Sequence, residues 1–90
     1  MKITLVKRVE VKEEVNLKDF TVFNMGKPDI DSVRLLLKYK EIEIGEGRFN
    51  QRTNWAHVNI FPGFFEDEQD EYDIEDHFIN GIENRTIRLK

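Results

Sequence analysis

Ninety residues, 39% apolar and 11% aromatic, make one small domain with side-chain volume for a single core, which argues against a disordered chain and against two domains. Cysteine is absent, excluding a disulfide frame, a thiolate metal site and a Cys nucleophile, and pointing to a reducing cytoplasm. The net charge of −4 is unevenly spread: residues 1–60 carry +2, residues 61–84 carry −9 without one Lys or Arg, and residues 85–90 carry +3.

From Ile3 to Leu17 the odd positions read Ile, Leu, Lys, Val, Val, Glu, Val, Leu, while the even positions from Lys2 to Lys18 hold one apolar residue, Val6. Period two predicts strands, and because one straight strand of that length is unusual, a break near Lys12 to Glu14 divides it into strands over about residues 2–11 and 15–24, paired as a hairpin. The same alternation lacks the unbroken apolar core of a signal peptide, and no run reaches membrane-spanning length, so a cytoplasmic protein without a membrane partner is expected. Gly26-Lys27-Pro28-Asp29 stops the second strand.

The stretch DIDSVRLLLKYKEIEIG carries two signals. Val33, Leu36 and Leu37 fit a helical turn capped by Asp29 or Asp31, whereas Ile42 and Ile44 alternate with Glu41 and Glu43 as in a strand, so the expectation is a strand ending at Gly45 with helix or strand open before it. GEGRFNQRTN then reads as a connecting loop. Thr53 to Phe61 is a strand bounded by Pro62-Gly63, with Ala56, Val58 and Ile60 on one face and Trp55, His57, Asn59 and Phe61 on the other.

Asp73-Ile74-Glu75-Asp76 has the composition of a helix start, and Ile74, Phe78 and Ile82, with Ile79 beside them, form an apolar stripe at helical spacing. Gly81 fits a C-terminal cap. Thr86 to Lys90 closes the chain as a short strand. The predicted class is α+β, roughly β-β-β-β-α-β: a small antiparallel sheet with one helix in the C-terminal half.

Eight of the eleven residues from Glu66 to Asp76 are carboxylates. Keeping a loop soluble and starting a helix needs only two or three of them. A calcium loop begun at Asp67 would want Gly where Tyr72 stands and Glu where Phe78 stands, so no metal site and no cofactor is assigned. A solvated loop leading into the helix and a weak divalent-cation site stay open as uses of the stretch, beside recognition, which the aromatic residues among the acids favour. An extended acidic segment repeats charge at about 3.3 Å per residue, close to the ~3.4 Å spacing of phosphates along a DNA strand. In size and composition the chain resembles small phage-encoded inhibitors that imitate DNA, which implies occupancy of a basic groove. On that reading Glu66, Asp67, Glu68, Asp70, Glu71 and Asp73 meet a basic protein, such as a nucleic-acid-binding enzyme, while Phe64, Phe65 and Tyr72 supply apolar anchors.

A second reading rests on Arg48, Phe49, Arg52, Trp55 and His57, where basic residues alternate with rings as in single-stranded nucleic-acid binders. Two observations count against it: the net negative charge, and the use Trp55 and Phe61 would have beneath the helix stripe. Catalysis has little to stand on. His77-Phe78-Ile79-Asn80-Gly81 with Asn84 resembles the middle of an HNH nuclease motif, but no second His follows, and there is no GxSxG, P-loop or HExxH. The expected function is non-enzymatic binding.

Overall fold

The computed structural model describes residues 3–6, 12–27 and 31–90, and within them the chain is α+β, with six strands and one α-helix. The strands are β1 (Ile3–Val6), β2 (Lys12–Val15), β3 (Phe20–Asn24), β4 (Ser32–Tyr39), β5 (Ile42–Asn50) and β6 (Trp55–Ile60), followed by α1 (Glu68–Glu83). β1 and β2 pair antiparallel, and β3-β4-β5-β6 form a separate antiparallel sheet in sequential order. Lys2 and Lys7 to Val11, from the expected first strand, and Pro28 and Asp29, from the stop signal after the expected second, lie outside the described residues.

Three expected boundaries move, each for a local reason. The expected break at Lys12 to Glu14 lies inside β2, and of the strand expected over residues 15–24 only Val15 joins β2 and pairs with β1. The rest starts again as β3 in the other sheet, after the Asn16 side chain accepts the Lys18 backbone N–H (3.2 Å) and starts a 3-10 turn over Leu17–Asp19. Residues 32–39 are strand throughout: Val33, Leu35, Leu37 and Tyr39 are buried, whereas Leu36 turns to the other face beside its cross-strand neighbour Phe23. β5 then begins after a two-residue turn in which Lys40 is left-handed (φ 53°), and it runs on to Asn50 through most of the expected loop.

One face of the four-stranded sheet is the core. Phe20, Val22, Val33, Leu35, Leu37, Tyr39, Phe49, Ala56, Val58 and Ile60 project from it, and Ile74, Phe78 and Ile82 of α1 cover them, as their helical spacing predicts. The small sheet closes one end: Leu5 bridges to Phe65, and the Val6 N–H donates to the Phe64 carbonyl (2.6 Å). Phe20 joins the layers, stacking on Phe78 (5.9 Å between ring centroids) and meeting Tyr39 edge-on (5.4 Å).

Both edges of the large sheet are occupied. At β3, Leu89 bridges Val22 in parallel, and the Lys90 N–H donates to the Val22 carbonyl (2.9 Å). At β6, helix carboxylates take the place of a neighbouring strand: the Ala56 N–H donates to Glu83 Oε2 and the Ile60 N–H to Glu75 Oε2, each at 2.8 Å. Covering an edge in this way removes a template for pairing with another chain. Glu83→Ala should therefore cost about 1–3 kcal/mol, the penalty for a part-buried donor left unmade, and Glu83→Gln less because its amide oxygen still accepts. Urea denaturation of the two variants side by side measures the difference.

The helix begins six residues before the expected start. Asp67 is its N-cap, accepting the Gln69 N–H (2.9 Å), and Glu68, Asp70 and Glu71 fill the first turn, where the dipole favours anions. Its end is also later than Gly81. The Arg85 N–H donates to the Ile82 carbonyl (3.2 Å) and the Thr86 N–H to the Gly81 carbonyl (2.9 Å), with Arg85 itself left-handed (φ 62°), which is a Schellman termination. Gly81 is instead a contact point inside the helix, where a Cβ would run into the Ile87 side chain.

Candidate functional site

The carboxylates of residues 66–76 divide by task once the helix is in place. Asp67 caps it and Glu75 holds the β6 edge; Asp73 accepts from the Gln69 amide (3.2 Å). Phe65 is only 6% exposed, so it belongs to the core and cannot anchor a partner, a correction to its expected role. Phe64 is half-buried against the same core. Tyr72 remains: at 62% exposure it stands on the outer side of α1, between Glu68 and Asp76 at the four-residue spacing that puts side chains on one face.

No Lys or Arg among the described residues forms an ion pair with Glu68, Asp70, Glu71, Asp73 or Asp76. The carboxyls of Asp70 and Glu71 are accordingly held above their ordinary range, by partial desolvation first and then by the negative charges of Asp67 and Asp73 on the one and of Glu68 and Glu75 on the other. A carboxyl raised in the fold opposes folding when ionised, so this opposition is present at neutral pH and is relieved as the pH falls through the raised values. Desolvation is the larger cause, and the neighbouring negative charges add to it.

Across the sheet lies a different surface. Helix α1 covers the Ala56, Val58 and Ile60 face, so Trp55 and His57 point away from it into the open, and the expectation that Trp55 sits beneath the helix is corrected. Trp55 is 54% exposed and stacks on His57, with ring centroids 6.0 Å apart and planes within 5°. Cross-strand register arranges the open face in rungs: Ser32, Asn50 and Trp55; then Arg34, Arg48 and His57; then Phe23, Leu36, Glu46 and Asn59. An open groove of about 630 Å³ runs over Arg34, Glu46, Arg48, Trp55, His57 and Asn59.

Not every residue of that expected basic and aromatic set arrives there. Phe49 is 2% exposed and faces the core, where the Arg85 guanidinium lies 5.0 Å from its ring centre, so it is unavailable for stacking. Arg52 sits in the β5–β6 turn and pairs with Asp31 at 3.7 Å. That turn is well tied: the Asn50 side chain accepts the Arg52 and Thr53 N–H groups, and left-handed Asn54 (φ 57°) donates its amide to the Glu83 carbonyl (2.8 Å). Trp55 thus follows directly from an anchored corner. Arg34 and Glu46 were absent from the expected set, because their place beside Trp55 depends on which residues face each other across strands; Asn59 shares the Trp55 face by the two-residue period of β6 but was not counted in the set.

His77, the centre of the nuclease-like stretch, is exposed on α1, and among the described residues no three His, Asp or Glu side chains come together as a metal cluster. No described helix is long and apolar enough to cross a membrane. Compared with known proteins, the chain matches no family model, no curated protein and no solved structure.

Proposed function

We propose that this is a small, non-enzymatic binding protein that presents the carboxylates of the first half of α1, grouped around Tyr72, to a basic site on another protein, as an inhibitor occupying a nucleic-acid groove would. The observation that supports this most is the exposed aromatic ring set among carboxylates that no cation of the described residues neutralises. Charge steers the encounter, and the ring supplies the desolvated anchor that charge alone lacks. Because a cation favours the ionised form of Asp70 and Glu71, association should release protons and tighten as the pH rises through the carboxylate range.

Capture from extracts of the cells that carry the protein tests this, using the native chain and a variant with Glu68→Gln, Asp70→Asn, Glu71→Gln and Asp76→Asn as baits. These positions avoid the Asp67 cap and the Glu75 and Glu83 edge bonds. The expected result is a basic protein retained by the native bait, released by salt and missing from the variant. Equal retention by both baits would contradict the proposal.

A further inference from the structure

We infer that the open face of the sheet is a second recognition site, for single-stranded nucleic acid, with Arg34 and Arg48 taking a phosphate and Trp55 with His57 stacking bases. The site stands independently of the acidic helix surface, because α1 covers the opposite face of the sheet.

Charge placement carries the argument to an anionic ligand. Arg34 and Arg48 are direct cross-strand neighbours, and like charges facing each other across strands destabilise a sheet. Arg34 has one carboxylate, Glu46 at 3.6 Å, and Arg48 has none among the described residues. Two guanidiniums on one rung with less than two negative charges are a fork for phosphate, which Arg binds with two parallel hydrogen bonds. Lys38 lies on the same face of β4, two rungs along, opposite Glu43.

Ring placement carries it to a base. An exposed Trp has no use in a monomer's core, and its ring lies parallel to that of His57, next to Arg48 in the adjoining rung. Aromatic platforms beside a cationic track are how proteins hold single strands without reading sequence, because every base has a stacking face. In a duplex those faces are already stacked. Asn59 and Glu46, one rung further, offer amide and carboxylate groups to a base edge.

Trp55 is the sole tryptophan, so its own fluorescence reports occupancy. The probes are oligouridylate and oligothymidylate of about eight nucleotides and a DNA duplex of similar length, titrated at low salt. Quenching by the single strands and not by the duplex is expected, with the RNA and DNA arms showing which sugar is preferred. One neutralised phosphate predicts a log–log salt slope of about −0.7, flattening toward zero in Arg48→Ala, where Glu46 already offsets the remaining Arg34. Trp55→Ala, followed by anisotropy of a labelled strand, should weaken binding about tenfold or more. Arg34, Arg48 and Trp55 are exposed, and unchanged circular dichroism verifies that each variant folds. The variant lacking the four helix carboxylates should still be quenched, separating this site from the acidic surface. Absence of quenching, equal quenching by duplex, or a Trp55 signal that changes with protein concentration alone, marking a second copy on the face, would overturn the inference.

Discussion

Phe78→Ala is expected to lower the free energy of unfolding by about 3–5 kcal/mol, the range for truncating a large ring in a core. Phe78 is 2% exposed, and its ring stacks on Phe20, which itself touches Tyr39 and Phe65. Removing it opens space where the helix, the large sheet and the segment bridged to β1 all meet, so no single element can settle into the gap. A domain of this size has about 5–15 kcal/mol of stability to lose, and the thermal midpoint should fall by roughly 12 °C or more. A change of less than about 1 kcal/mol would place the Ile74, Phe78, Ile82 stripe on the surface and dismantle the packing described here.

Gly47→Ala should be nearly as costly, at about 3 kcal/mol, the upper end for overpacking. The position lies in β5 between Leu35 and Val58, and a Cβ there would run into the His57 carbonyl oxygen, with Val58 Cα 3.1 Å away. Those are backbone atoms of β6, unable to rotate aside as a long side chain could. Relief would have to come from parting the two strands, which also displaces the rungs carrying Arg48, His57 and Trp55. Urea denaturation should show the loss of stability, and an unchanged midpoint would mean that β5 and β6 are further apart than described. Gly63, with nothing within 4 Å of where its Cβ would stand, shows that crowding is not general to the glycines, and at helical Gly81 the obstacle is the Ile87 side chain, not backbone.

How much of this was legible beforehand follows from what each signal depends on. The helix stripe and the Ala56, Val58, Ile60 face were readable because 3.6 and 2 residue periods are properties of one segment. The strand over residues 32–39 was obscured by Leu36, an apolar residue on the polar face, whose reason is Phe23 on the neighbouring strand. Local competition also hid boundaries: Asn16 and Asn50 use their side chains to turn the backbone, and Arg85 ends the helix in a conformation that glycine usually supplies. Acid counting found the helix surface but not its division of labour. That Glu75 and Glu83 hold strand N–H groups depends on where α1 lies against β6, and that Arg34 meets Arg48 depends on register; neither is written in a single stretch of sequence.

The acidic surface is most directly tested by the rate at which the captured basic partner associates with the native chain and with the variant lacking the Glu68, Asp70, Glu71 and Asp76 charges, measured as ionic strength rises. Screening shortens from about 10 Å at 0.1 M salt to about 3 Å at 1 M, so a steered encounter must slow across that interval. The native chain should associate at least tenfold faster than the variant at low salt, the range that steering provides, and the two rates should converge at high salt. Equal rates for the two chains at low salt would contradict the claim that these carboxylates meet the partner.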